Sequence, residues 1–209
     1  MKSIHSNMAD LKSRHFQEAF TRLERNGSER LEILELGIGC GENFKNFPRG
    51  SNVTILDKTD IFLPYLNDSI KKNNRQDLNV SRLVLNSAES MVEIESDSMD
   101  VVVHTLMLCS VSDYSSVLSE IYRVLKPGGI CIFMEHSLDN KNVVRKLLQK
   151  FLENPLNYCR FLDMNNVIKD GLYEELVIKE HNIPKFYMTH VNPIVYGYGV
   201  KSTKSFKKH

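Results

Sequence analysis

The segment Leu31–Leu36 reads as a β-strand and breaks directly into Gly37-Ile38-Gly39-Cys40-Gly41. Three alternating glycines let the backbone take positive φ and approach a ligand closely. A strand that ends in such a turn belongs to open α/β sheets, where ligands lie across the carboxyl ends of the strands. The turn is expected to open a helix. The rest of the chain keeps the strand–helix rhythm that such a sheet requires.

Further strands are expected at Asn52–Leu56, Leu78–Leu85, Met99–Thr105 and Ile130–Met134. The unbroken run Val101-Val102-Val103 suits a strand buried on both faces of a parallel sheet. Helical spacing marks residues 7–25, with Met8, Leu11, Phe16, Ala19, Phe20 and Leu23, and Asn26-Gly27-Ser28 is the expected stop. Helices are also expected at Ile61–Asn74, Asp113–Leu125 and Lys141–Leu152, with a short one at Asp163–Lys169. Lys126-Pro127-Gly128-Gly129 reads as a turn, because proline bars a continued helix. Glu175–Ile183 and Ile194–Val200, with only a loop between them, predict a terminal antiparallel hairpin.

The expected fold is a doubly wound, mostly parallel, seven-stranded Rossmann-like α/β sheet with a terminal antiparallel hairpin and an N-terminal helix. It forms a single domain over residues 1–209. Residues 1–28 form a helical cap, 30–136 the ligand-binding half, and 137–209 the substrate-side helices and hairpin. Leu147, Phe151 and their neighbours on Lys141–Leu152 form a broad apolar face. It is expected to pack on the sheet, or alternatively to cover a hydrophobic substrate.

Composition narrows the function. The formal net charge is +1, so no global field favours nucleic acid. Lys201, Lys204, Lys207 and Lys208 read as a solvated tail. No apolar run reaches the ~20 residues that span a bilayer, and the first ten residues are polar. The reading is of a cytoplasmic protein without a transmembrane anchor, although peripheral membrane contact through the first helix stays open. The cysteines Cys40, Cys109, Cys131 and Cys159 fall in no CxxC pair, so neither a metal site nor a disulfide framework is expected.

The glycine turn excludes some ligands. A dinucleotide fingerprint requires GxGxxG, and its last position here is Glu42. A pyrophosphate at that point would face the Glu42 carboxylate, with Glu35 adding a second negative group. The Walker pattern GxxxxGK[ST] is absent too. The turn therefore suits a nucleoside ligand without phosphate, and S-adenosylmethionine (SAM), with its cationic sulfonium and amine, fits. Asp57 lies 20 residues beyond Gly37 at the end of the second strand, where a carboxylate can accept both ribose hydroxyls. Ser87-Ala88-Glu89 follows the third strand and is placed to flank an adenine, although Ser87 and Glu89 also suit a helix start.

Taken together, ELGIGCG, the acid of TILD, SAES, SDSMDVVV and LKPGGICIF resemble the class I SAM methyltransferases over residues 30–136. More narrowly, LELGIGCGENF, SMDVVVHTLMLCSV and FMEH resemble the methyltransferase-like seven family, described as alkyl thiol S-methyltransferases. That family usually carries an apolar N-terminal anchor, which these residues lack. The region after Cys159 is also shorter than the family pattern. The resemblance implies that Glu35, Gly37, Gly39, Cys40, Gly41 and Asn43 surround the methionine end of SAM. It places Asp57 and Lys58 at the ribose, Ala88 and Glu89 at adenine, and Thr105 and Leu106 behind the sulfonium. The product would be S-adenosylhomocysteine.

Methyl transfer from a sulfonium demands alignment more than acid–base help. Glu135 and His136, at the end of the fifth strand, are the candidate catalytic residues, with pocket lining as their alternative role. His104 and Cys109 read as core residues. The expected acceptor is a small, hydrophobic thiol. The alternatives are N- or O-methylation of a small molecule or lipid headgroup, or SAM binding without turnover.

Overall fold

The computed structural model describes residues 8–23, 30–153, 159–184 and 190–203. Its centre is one seven-stranded sheet in the order β3-β2-β1-β4-β5-β7-β6. The strands are β1 (Glu32–Leu36), β2 (Asn52–Asp57), β3 (Asn79–Leu85), β4 (Met99–Thr105), β5 (Leu125–His136), β6 (Tyr173–His181) and β7 (Ile194–Lys201). The first five are parallel, whereas β7 runs antiparallel to both β5 and β6. The expected sheet and its terminal hairpin are both present.

Among the described residues, the α-helices are α1 (Ala9–Thr21), α2 (Leu63–Lys72), α3 (Tyr114–Val124), α4 (Val143–Leu152) and α5 (Met164–Lys169). Because side chains alternate along a strand, each central strand feeds two cores. Leu34, Leu36, Val102, Cys131 and Phe133 pack on one face of the sheet with α3 and α5. Ile33, Val53, Ile55, Val101, Val103 and Ile132 pack on the other with Phe16 and Ala19 of α1. Phe16 is fully enclosed, so the described part of α1 spends its main aromatic on the domain and not on a membrane. The expected stop at Asn26-Gly27-Ser28 lies outside the described residues.

Four local expectations are corrected. The glycine turn opens only a single 3-10 turn, Phe44–Asn46. Pro48 disfavours the α conformation at the residue before it, and Phe47 is accordingly extended at ψ 148°. The Lys126–Gly129 segment is not a free turn but an irregularity inside β5. The register with β4 jumps from Met99↔Leu125 to Val101↔Ile130, with Gly128 at φ +79°. Lys201 is no solvated tail residue: its ammonium is enclosed by Asp97 at 2.7 Å and the carbonyls of Tyr122 and Leu125 at 2.7 and 2.6 Å.

The fourth correction concerns α4. Its apolar face does not pack on the sheet: Val144, Leu147 and Phe151 are 78%, 63% and 85% exposed. The polar side of the helix is the anchored one. The Gln149 amide is buried and donates to the carbonyls of Ser137, His190 and Asn192 at 2.9, 3.0 and 2.8 Å. Arg145 pairs with buried Asp139 at 2.6 Å. Satisfying these buried polar groups fixes the helix orientation and turns its apolar stripe outward.

Candidate cofactor and acceptor site

The sheet reverses its strand order between β1 and β4, and this is where open α/β sheets hold their ligands. Register brings the strand ends level there: Leu36 lies beside Leu56 and His104, Asp57 beside Leu85, and Thr105 beside Met134. Most of the expected site residues stand on this edge.

The glycine turn takes the conformation its sequence requires. Gly37, Gly39 and Gly41 have φ of +70°, +49° and +68°. A Cβ at Gly37 would lie 3.0 Å from Met107 Cγ, so the first glycine also lets the segment after β4 close onto the turn. A Cβ at Gly39 would meet nothing within 4 Å, which leaves open space over the turn. Cys40 is a half-buried free thiol in that turn. Asp57 holds the turn from β2, accepting the Ile38 N–H at 3.0 Å and the Thr59 N–H at 3.2 Å.

Beneath the turn lies a buried polar chain. Lys12 of α1 donates to Asn43 Oδ1 at 2.7 Å. Asn43 Nδ2 in turn donates to Glu35 Oε1 at 2.8 Å and to Thr105 Oγ1 at 3.0 Å. The second Glu35 oxygen is buried without a hydrogen-bond partner among the described residues. Burial pushes the Glu35 carboxyl up to about 8, against the pull of Asn43 and Lys12. Burial likewise brings the Lys12 ammonium down to about 8, although Glu35 draws it up. Such a carboxylate is poised for a cationic partner.

The Ser87–Glu89 group is also assembled on this edge, although it starts no helix. The Glu89 carboxylate accepts the Ser87 hydroxyl and the Ser112 and Asp113 N–H groups, the latter two at 2.6 and 3.2 Å. Lys58, exposed on the loop after β2, pairs with it at 3.3 Å. The Ser87 hydrogen bond, the two amides and Lys58 hold this carboxyl down at about 2. Ala88 is buried beside it.

On the other flank of the switch point, Leu106 takes φ +53°, a region that non-glycine residues rarely occupy. Glu135 holds that strained segment. Its fully enclosed carboxylate accepts the Met107 N–H at 2.9 Å and the Leu108 N–H at 3.4 Å, and pairs with His104 Nδ1 at 2.8 Å. Burial works against a charge on His104, but Cys131 and Glu135 more than offset it and push the imidazole up to about 10. His104 is thus a core histidine, as expected, with Glu135 as its counter-ion.

His136 stands next to Glu135 but faces elsewhere. Its Nε2 lies 3.0 Å from Cys159 Sγ, and its ring meets Phe161 edge-on at 5.0 Å. Cys109 joins this group from the turn after β4. Residue spacing gave no warning of the cluster, because its members are far apart in sequence and meet only through the fold. Lys12 was missed for a different reason. It sits four residues from both Met8 and Phe16, so a charged residue on the buried face of α1 was the available signal.

The methyltransferase-domain family matches residues 34–133. Human thiol S-methyltransferase TMT1A is 34% identical over 193 residues, covering 88% of this chain and 78% of that protein. Human thiol S-methyltransferase TMT1B is 41% identical over 122 residues, which cover 57% of this chain and about half (49%) of that protein. Among solved structures, a SAM-dependent methyltransferase from Methanosarcina mazei superposes with a TM-score of 0.63 at 18% identity, covering 85% of this chain and 95% of that one. The last likeness concerns the fold alone. Among the described residues, no helix is long and apolar enough to cross a membrane.

Proposed function

This chain belongs to the class I SAM-dependent methyltransferases of the TMT1 type, and we propose that the acceptor it methylates is a small hydrophobic thiol. The activated methyl group is supplied by SAM, the cofactor of this enzyme class. The residues on the carboxyl edge fit that group. The unpartnered Glu35 oxygen offers a seat for an ammonium, and the open face at Gly39 admits close approach of a ligand. Asp57, with lone pairs beyond those used by Ile38 and Thr59, would take the ribose hydroxyls. Ala88 and Glu89 would border the adenine, and Thr105 and Leu106 would stand behind the sulfonium.

The remaining work is alignment and exclusion of water. Orientation of this kind can supply roughly 7–11 kcal/mol of the barrier. Glu135, walled in by His104 and the Met107 and Leu108 amides, acts by positioning the Leu106–Cys109 segment. His136 is the group from β5 that faces the acceptor side, beside Phe161.

The observation that carries the thiol reading is the 34% identity to TMT1A across 78% of that protein. The apolar lining offered by Leu106, Met107 and Phe161 agrees with it. The test is S-adenosylhomocysteine formation by the purified chain with a panel of alkyl thiols, amines and phenols. Turnover with thiols alone supports the reading. Turnover confined to amines or phenols leaves the methyltransferase and removes the thiol.

A further inference from the structure

Cys109, His136 and Cys159 reach one point from three places in the chain: the turn after β4, the end of β5, and the segment preceding α5. Their Sγ and Nε2 atoms all lie within 4.8 Å of one another, and His136 Nε2 is 3.0 Å from Cys159 Sγ. Cys109 and His136 are buried and Cys159 is half-buried. Zinc–sulfur bonds of about 2.3 Å and zinc–nitrogen bonds of about 2.0–2.1 Å place tetrahedral neighbours roughly 3.5–3.8 Å apart. Shifts of a fraction of an ångström to about one ångström would seat all three ligands.

We propose that Cys109, His136 and Cys159 bind a soft divalent cation of the zinc class, with the fourth coordination position taken by the sulfur of the methyl acceptor.

Three features carry the assignment. First, the donor set is two sulfurs and one imidazole, the chemistry that selects zinc-like ions over magnesium or calcium. Three protein ligands with one open position is the arrangement of catalytic rather than structural zinc sites. Second, two thiolates and a neutral imidazole balance a divalent charge, so the three-ligand site is neutral where it is most enclosed, before the acceptor joins. Third, the cluster is attached to the reaction edge. The Cys109 thiol lies 3.9 Å from the carbonyl of Leu106, and Arg160 N–H donates to the Cys109 carbonyl at 2.9 Å. The His136 ring rests on Phe161, and its Nδ1 has no hydrogen-bond partner among the described residues.

The inference rests on the thiol reading of the acceptor. An acceptor thiol that joins the cation loses its proton to solvent and remains a bound thiolate. Its sulfur lone pair then forms the new S–CH3 bond as the sulfonium carbon–sulfur bond breaks, and that bonding pair stays on the departing sulfur. The cation is unchanged at the end, and no oxidant or reductant is consumed.

The test uses the full chain, purified under a phosphine reductant, freed of metal by chelation and titrated with cobalt(II). The expected result is a sulfur-to-cobalt charge-transfer band that saturates at one ion per chain and is displaced by zinc. Adding an alkyl thiol should shift the visible cobalt bands, as a fourth ligand enters. Cys159→Ser and His136→Ala should each weaken cobalt binding more than about 100-fold, beyond the loss typical of outer-shell changes, while circular dichroism and SAM affinity stay unchanged. Absence of the band in folded, SAM-binding protein overturns the site, and so does its survival in the Cys109→Ser/Cys159→Ser double variant. Thiol methylation that persists in full without metal also overturns the proposal and leaves the thiol reading intact. A band that thiols do not perturb removes the acceptor from the fourth position.

Discussion

Asp57 Oδ2 accepts the Ile38 N–H at 3.0 Å, so the carboxylate at the end of β2 and the glycine turn after β1 form one unit. The acid proposed for the ribose therefore also shapes the loop that approaches the rest of the ligand. Asp57→Ala is expected to weaken SAM binding by about 1.5–3 kcal/mol, the range for hydrogen bonds to a charged group. The fold should persist, because Asp57 stands at a strand end and not in either core. Isothermal calorimetry on the folded variant checks this, and an unchanged dissociation constant would remove Asp57 from the site.

Glu35 gives a pH dependence. The groups facing it are Lys12 from α1, Asn43 from the turn and Asp57 from β2. Its folded value near 8 stands above the ordinary carboxyl value of 4.5. Between those values the folded chain therefore holds a proton that the unfolded chain has lost. On this account stability falls as pH rises from about 4.5 to about 8, and no further Glu35 contribution is lost above that. A cationic ligand at Glu35 favours the ionised form. SAM binding near pH 7 should then release part of a proton, and affinity should rise toward pH 8 and level off. Calorimetry in buffers of different ionisation enthalpy reads the proton directly, and Glu35→Gln should abolish the release.

The sheet was legible in the sequence because strand periodicity and glycine turns are local signals. Val101–Val103 and Leu31–Leu36 each encode two-faced burial within a few residues. The glycine turn and Asp57 were legible because spacing and strand position are written in order along the chain. What the sequence hid was decided by tertiary contacts. Gln149 looked like one polar residue on an amphipathic helix, yet its three carbonyl partners reverse which face of α4 points inward. Lys201 looked like the start of a basic tail, until Asp97 and two carbonyls enclosed it. Cys109, His136 and Cys159 carried no spacing signal, since three separate segments bring them together.

Glu135 and His104 are each other's buried counter-ions at 2.8 Å. Removing one partner of such a pair typically costs about 3–5 kcal/mol, because the other charge is left uncompensated. Glu135→Ala should lose that much stability in chemical denaturation and release the Leu106–Cys109 segment. Glu135→Gln, which can still accept the Met107 N–H, should lose less. A variant as stable as the parent would show that the carboxylate does not hold this segment.

The exposed stripe of α4 offers a test that leaves the fold untouched. Leu147 and Phe151 are 63% and 85% exposed, so Leu147→Ser and Phe151→Ser should shift stability by no more than about 0.5 kcal/mol. If α4 covers a hydrophobic acceptor, as one reading of the sequence holds, the same changes should raise KM for long-chain thiols more than for short ones. Equal KM values across chain length in both variants would separate α4 from the acceptor.

In the proposed reaction the methyl group goes to sulfur. An acceptor that carries a thiol and a hydroxyl or amine in one small hydrophobic molecule decides it within a single reaction. The purified chain is supplied with SAM bearing a carbon-13 methyl group, and the product is examined by carbon-13 NMR. The label is expected in a thioether methyl, with S-adenosylhomocysteine formed in equal amount. Label in an O-methyl or N-methyl group, with the thiol left free, would contradict it.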